Sequence, residues 1–221
     1  MTEKQDRANC PLCHDEGTVF YHNRRQFFYR CGVCGGIFAH RDTLPDRISE
    51  HNRYREHNND VNDPRYRQFV SPITDAVMHE FTPAHSGLDF GAGPGPVIST
   101  ILREQGFSVL QYDPFFAPDP SLLENRYDYI VCCEVIEHFF YPDKDFRLLR
   151  TLLKPGGKLY CMTSLYSDDI DFGSWAYKND YTHVFFYRKE TLAWIRNHYG
   201  FCGLHIDNKL FVFSTAPESS K

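Results

Sequence analysis

Two sets of residues in this chain are spaced for chemistry, and they suit different ligands. The first is Cys10-x-x-Cys13 and Cys31-x-x-Cys34, with seventeen residues (14 to 30) between the pairs. That separation falls inside the window of about 15–20 residues used by four-cysteine zinc sites, and four thiolates match zinc's soft, tetrahedral preference. The competing reading is two disulfides or free thiols. A reducing compartment, and a region too small to build its own core, both favour metal. Cys10, Cys13, Cys31 and Cys34 are therefore expected to hold a structural Zn2+. Gly32, Gly35 and Gly36 are expected to supply the positive φ that lets the second turn curl around it.

The second set is Leu88-Asp89-Phe90-Gly91-Ala92-Gly93-Pro94-Gly95, between an expected strand and an expected helix. A glycine turn there lets a ligand approach the backbone and meet the amides at the helix N-terminus. A dinucleotide fingerprint would need glycine at 91, 93 and 96, and position 96 is Pro. Twenty residues after Gly93, Asp113 ends the run SVLQYD, where a carboxylate can accept both hydroxyls of a ribose. Two histidines could move a proton near neutral pH. His183 lies in Asp180-Tyr181-Thr182-His183, and its plainer reading is a hydrogen bond that fixes the loop. His138 follows Glu134 by four residues, so a helix starting near Glu134 would place both on one face.

These residues need elements to hold them, and three regions separate. Residues 8–41 are short, rich in Cys, Gly and aromatics, with VFYH and QFFYR as strands around a His22-Asn23-Arg24 turn and GGIF as a third. Residues 45–82 are helix-like: ISEHNRYREHNN, then a helix from Pro64 that Pro72 should bend or restart. From residue 84, short apolar runs alternate with helical patterns, the mark of a mostly parallel, doubly wound α/β sheet. Its strands are SGLDF, SVLQYD, YDYIVCC and GKLYCMT, with VISTILREQ and DKDFRLLRTLL as helices between. After a long aromatic loop come KETLAWIRNHY as a helix and FCGLHID with KLFVFS as a terminal antiparallel hairpin. The division expected is 1–42 zinc ribbon, 43–83 helical lid or linker, and 84–221 ligand-binding domain.

The chain has 221 residues, is 42% hydrophobic and 24% charged, and carries a formal charge of −5. Those are globular values, and the charge is not that of a nucleic-acid binder. Residues 1–60 are balanced, with nine Lys/Arg against nine Asp/Glu, so residues 61–221 carry the whole excess. MTEKQDRANC has no apolar core for a signal peptide, and no run nears the roughly 18 apolar residues of a membrane span. A cytoplasmic protein is expected. Cys132, Cys161 and Cys202 sit in strand-like runs and read as inert buried thiols.

With LDFGAGPG, the acid of QYDP, YDYIVCCEVIEHF, LLKPGGKLYCMT and DYTHVFFYRKETLAWI in that order, residues 84–215 resemble a class I S-adenosylmethionine-dependent methyltransferase of the ubiquinone-biosynthesis-type group. The N-terminal region is similar to zinc ribbons found ahead of some sugar C-methyltransferases and some ribosomal-RNA methyltransferases. The resemblance implies that Gly91, Gly93 and Gly95 pass under S-adenosyl-L-methionine, Asp89 orients that loop, and Asp113 takes the ribose hydroxyls. Cys133 and Glu134 would line the methionine side, and His183 would sit in the loop that roofs the acceptor pocket. Thirteen residues between Asp113 and Tyr127 are too few for the usual helix, strand and second helix. The third strand is therefore expected to be missing, with Phe115 and Phe116 over the adenine instead. Related enzymes place a lid where 45–82 lies, which singles out Tyr54, His57, Arg65 and Tyr66, with Arg65 pairing the methionine carboxylate. Tyr166, Trp175 and Tyr177 suit an aromatic acceptor lining.

The leading expectation is methyl transfer to a small-molecule or carrier-linked acceptor. An RNA methyltransferase gripping nucleic acid through Arg24 and Arg25 of the ribbon is the second enzyme reading, disfavoured by the acidic third region. A non-catalytic cofactor- or partner-binding protein is the alternative of another class. A nicotinamide oxidoreductase is disfavoured by Pro96.

Overall fold

The computed structural model describes residues 6–23, 26–56 and 60–218. Arg24 and Arg25 lie outside them. The chain opens with four short strands, β1 (Arg7–Asn9), β2 (Glu16–His22), β3 (Phe27–Cys31) and β4 (Ile37–Ala39). They pair antiparallel in sequence order. β4 is only IFA, because Gly35 and Gly36 belong to the preceding turn. Two helices follow, α1 (Arg47–Arg55) and α2 (Pro64–Glu80). Asp46 caps the first by accepting the Ser49 amide at 2.8 Å, and Asp63 caps the second by accepting the Arg65 amide at 2.9 Å. α2 is continuous through Pro72, so the proline does not restart the helix. An interior proline costs about 3 kcal/mol, whereas each fully buried aliphatic side chain returns about 1.5–3. Val70, Ile73 and Val77 are all buried on that helix, so packing outweighs the lost bond.

The remaining strands and helices alternate as the residue pattern requires: β5 (Ser86–Phe90), α3 (Val97–Glu104), β6 (Ser108–Tyr112), β7 (Tyr127–Cys133), α4 (Pro142–Thr151) and β8 (Leu153–Met162). Then come β9 (Phe185–Phe186), α5 (Lys189–His198), β10 (Gly203–Asp207) and β11 (Leu210–Ser214). The larger sheet runs β10-β11-β8-β7-β5-β6. Its β6, β5, β7 and β8 are parallel, and the terminal hairpin adds two antiparallel strands at one edge. The missing third strand is confirmed: between β6 and β7 lies only a 3-10 turn at Pro120–Glu124, and β6 is the edge. The chain leaves β5 toward β6 and returns to β7 on the other side. That reversal opens a crevice at the carboxyl ends of β5, β6 and β7. α2 and α3 cover one face around Ile73, Ile98 and Val131, while α4 and α5 cover the other around Phe146, Ile195 and Phe213.

The aromatic loop is not loop throughout. β9 pairs antiparallel with β4, so the N-terminal sheet has the order β1-β2-β3-β4-β9 and its last strand comes from residue 185 onward. Tyr166 and Trp175 are not among the residues lining the cleft at the sheet's carboxyl end. They pack with Phe28, Phe172 and Phe186 in a cluster between the ribbon and this loop, and Phe20 meets Tyr166 edge-on at 5.7 Å. Edge-to-face pairs suit such rings, each adding about 0.5–1.5 kcal/mol. Cys132 and Cys161 are buried as expected, but Cys202 is exposed, because it stands just before β10. Among the described residues, no helix is long and apolar enough to cross a membrane.

Candidate active site

A cleft of about 700 Å³ occupies the crevice at the sheet's switch point. Its floor is the glycine loop. Gly91 and Gly93 have φ of +79° and +64°, so an L side chain would be strained at either. A Cβ on Gly91 would also lie 2.6 Å from a Val135 methyl. The Gly91 amide donates to the Tyr112 carbonyl at 2.8 Å, which docks the loop on β6. Gly95 lines the cleft without positive φ, and Pro96 precedes α3 with no side-chain cap on the helix amides.

Two buried carboxylates hold this floor. Asp113 accepts the Gly93 amide at 2.9 Å through one oxygen, and the Phe115 and Phe116 amides at 2.8 and 3.0 Å through the other. It ties the loop after β6 to the glycine loop and still lines the cleft. Asp89, at the end of β5, accepts the Ser99 hydroxyl at 2.7 Å, and burial pushes its pKa up to about 6. Cys133, Glu134 and Phe115 line the cleft as well.

The lid residues divide. Tyr54 and Tyr66 line the cleft, and Tyr54 donates to Glu50 at 2.8 Å. Arg65 does not join them: its side chain is 91% exposed and paired with Asp63 at 2.9 Å. The helix cap that starts α2 holds it outward, while Tyr66 beside it turns in. His57 lies outside the described residues. Sequence reasoning missed Arg47 and Glu50, which also line the cleft. Arg47 lies over the Phe115 ring at 4.6 Å and donates to the Pro114 carbonyl. Nothing in a uniformly polar helix marks which of its charges turn inward.

The opposite wall carries the ionisable groups. No helix starts at Glu134. That residue has φ +52°, and a 3-10 turn over Ile136–His138 follows, so Glu134 and His138 are not stacked one helical turn apart. They still face the same cleft, together with Asp180 and His183. The His183 ring lies 4.8 Å from that of His138. Each Nδ1 meets a backbone carbonyl, Thr182 at 2.9 Å for His138 and Tyr177 at 2.7 Å for His183. A carbonyl only accepts, so Nδ1 carries the hydrogen in both rings and the basic lone pair is on Nε2.

Glu137 is the residue the sequence did not single out. It is fully buried, accepts from the Tyr177 hydroxyl, and has an oxygen without a hydrogen-bond partner. The same hydroxyl oxygen lies 2.9 Å from Glu134, and its single hydrogen serves one of the two carboxyls at a time. Burial, then repulsion from Glu134, raise the Glu137 carboxyl well above the usual range, which favours its protonated form. Donor atoms of Glu137, His138 and His183 all lie within 4.8 Å of one another. Such a set can relay a proton and is also of a type that divalent cations use.

The four ribbon thiols converge, with every Sγ within 4.8 Å of the others. Cys10 and Cys34 are 3.6 Å apart and Cys13 and Cys31 3.3 Å, against about 3.8 Å between sulfurs around a tetrahedral zinc. Each pair closes the same turn, the His14 amide reaching the Cys10 carbonyl at 2.9 Å and the Gly35 amide the Cys31 carbonyl at 3.1 Å. His14 and Gly35 are left-handed, at φ +64° and +73°, whereas Gly32 and Gly36 are not. One positive-φ residue per turn is enough.

Residues 50–206 match the family model described as a methyltransferase domain. Over 79 residues the chain is 34% identical to the ubiquinone biosynthesis O-methyltransferase of Aeromonas salmonicida, a stretch covering 35% of this chain and 33% of that protein. The match therefore spans about a third of the relative's length. Two solved structures share the fold. An O-methyltransferase family protein from Burkholderia thailandensis aligns over 77% of this chain and 64% of its own at 14% identity, TM-score 0.53. The 1,6-didemethyltoxoflavin-N1-methyltransferase of the same organism, solved with its acceptor and S-adenosylhomocysteine, aligns over 90% and 99% at 13% identity, TM-score 0.53.

Proposed function

The chain belongs to the methyltransferase-domain family, and from that premise we propose that it transfers a methyl group from S-adenosyl-L-methionine to a small-molecule or carrier-linked acceptor. The carrying observation is the cleft itself, with a left-handed glycine loop and two buried carboxylates on its floor and paired histidines on its wall. Bound there, the donor supplies a methyl on a cationic sulfur, which an aligned lone pair displaces in line.

The chain's residues then have separable tasks. Gly91, Gly93 and Gly95 let the donor lie against the backbone, and Asp113 accepts from its ribose hydroxyls. Asp89 and Glu134 offer acceptor oxygens to its cationic portion, and Cys133 packs beside it. Phe115, backed by Arg47, covers the adenine. His183, with its hydrogen on Nδ1, takes a proton at Nε2 where the acceptor must lose one. His138 and Glu137 are the neighbours that can share that proton. The cleft is lined by six acidic residues (Glu50, Asp89, Asp113, Glu134, Asp145, Asp180), and Arg47 is the one Lys or Arg among its described lining residues. That balance favours a cationic donor and opposes a polyphosphate acceptor, so it weighs against RNA.

The spacing of the ribbon thiols fits a structural zinc held by Cys10, Cys13, Cys31 and Cys34. We retain the division into ribbon (1–42), lid (43–83) and donor-binding domain (84–221), in a cytoplasmic protein. Calorimetry with S-adenosylmethionine, S-adenosylhomocysteine and NAD tests the donor. Binding of the first two at micromolar levels is expected, and binding of NAD alone would overturn the assignment. A screen for S-adenosylhomocysteine release against fractionated metabolites then identifies the acceptor.

A further inference from the structure

The ribbon is fastened to the one loop that carries His183. β4 pairs with β9 through Ile37 opposite Phe186 and Phe38 opposite Phe185. The Ala39 amide donates to the Val184 carbonyl at 2.9 Å, and the Val184 amide donates to the Glu137 carbonyl at 2.9 Å. Residue 184 therefore hangs between the ribbon and the turn that bears Glu137 and His138, and His183 is its chain neighbour.

The side chains repeat this connection. Phe185 is fully buried in the core cluster that also holds Cys10, Cys31 and Cys34, and Phe186 is buried in the aromatic cluster with Phe28 and Ile37. A Cβ on Gly36 would stand 2.3 Å from the Phe185 ring. Arg30 of β3 and Arg188, just after β9, both grip Asp168, at 2.9 and 2.6 Å. β4 begins three residues after Cys34, so the geometry of the metal turn sets where the strand lies. On the other side of His183, α1 holds the turn: Arg53 donates to Asp180 at 2.7 Å, and Tyr181 donates to the Ser49 carbonyl at 3.0 Å. The donor floor, by contrast, is held by β5, β6 and α3 through bonds that do not involve the ribbon.

We propose that the ribbon is a positioning element of the acceptor site, its strand β4 holding Val184–Phe186 and so His183, which makes metal occupancy control the acceptor side and not donor binding. This rests on the reading of the four cysteines as zinc ligands and of His183 as the acceptor-side base. Without the metal, the Cys-x-x-Cys turns lose what joins them, β4 loses its anchor, and β9 has no edge to pair with.

The test uses the full chain in three forms: zinc-loaded, chelator-stripped and Gly36→Ala. Three readouts apply: metal content, S-adenosylhomocysteine affinity, and hydrogen exchange of the Val184–Tyr187 amides with the 15N shifts of His183. Stripping and Gly36→Ala should each speed exchange at these amides by about tenfold or more, equivalent to about 1.4 kcal/mol of local opening. The Nδ1–H signature of His183 should be lost, while affinity stays within about twofold. Gly36→Ala should keep its zinc. Unchanged exchange in both altered forms, or affinity lost in step with exchange, would overturn the proposal. If the chain binds no zinc, control of this loop by metal occupancy is overturned, and Gly36→Ala decides only whether β4 holds it. Should Gly36→Ala not fold, Arg30→Ala, which removes the bridge to Asp168 and the guanidinium over the Phe20 ring, is expected to give the same exchange pattern in weaker form, and no change there counts against the ribbon.

Discussion

Asp113 offers the sharpest test of the donor site, because it has two duties that can be measured apart. Its two oxygens serve opposite sides, Gly93 on one and the Phe115 and Phe116 amides on the other. Asp113→Asn leaves one oxygen and sets an NH2 against an N–H on the other side. A hydrogen bond to a charged acceptor is worth about 1.5–3 kcal/mol, so the variant should lose about that much stability when it gives up the Gly93 side. The second duty is toward ligand. A ribose hydroxyl that loses the charged acceptor should cost a similar 1.5–3 kcal/mol, or roughly 10- to 150-fold in affinity. Calorimetric titration with S-adenosylhomocysteine and with a 2′,3′-dideoxy analogue separates the two. The wild-type chain should bind the analogue more weakly by that factor, while Asp113→Asn should bind both alike, because the removed groups are partners in one interaction. If the two penalties simply add, Asp113 does not touch the ribose and acts only through the loop.

Other consequences follow from the buried carboxyls. Burial raises Asp89 from 3.8 to about 6, so the folded chain holds a proton there that the unfolded chain has released. That contribution, about 3 kcal/mol, is intact below about pH 4 and is lost as pH rises through about 6. Urea midpoints from pH 4 to 8 should therefore fall less steeply in Asp89→Asn, and an unaltered slope would contradict the shift. Burial favours the protonated form of Glu137, so Glu137→Gln should change stability at neutral pH by no more than about 1 kcal/mol, and a change of about 3 or more would show that it is ionised there. Tyr177→Phe strands the buried oxygens of Glu134 and Glu137 and should cost about 1–3 kcal/mol in chemical denaturation; a neutral result would mean the pair is solvated.

What could be read from the chain was whatever its chemistry stores in short spacings. The two Cys-x-x-Cys turns, the glycine loop with Asp113 twenty residues on, and the terminal hairpin of FCGLHID and KLFVFS each depend on a few neighbouring positions. Even the lost third strand was readable, because thirteen residues cannot build three elements. What escaped depended on contacts between distant segments. Glu137 looks like any acid in a polar turn until Val184 and Tyr177 close over it. β9 is two residues long, and only β4 makes it a strand. Arg65 and Tyr66 are equally placed in sequence to face the donor, and the Asp63 cap decides between them.

The absence of the third strand explains why α1 is where it is. With β6 at the sheet edge, the segment after Asp113 has no further strand to lean on, and Leu110 on that edge is 42% exposed. Asp113 folds the segment back by accepting the Phe115 and Phe116 amides, which turns both rings toward α1. There His51 stacks on Phe115 at 5.5 Å and approaches Phe116 at 5.3 Å, and Arg47 covers Phe115. A cation over a partly desolvated ring contributes about 0.5–2 kcal/mol, enough to hold one aromatic wall but not to replace a strand's ladder. α1 therefore touches both ends of the cleft, the phenylalanines at the donor end and Asp180, Tyr181 and His138 at the acceptor end. Arg53 and Asp180 form an ion pair at the acceptor end, at 2.7 Å, so the helix is pinned beside His183 independently of the phenylalanines.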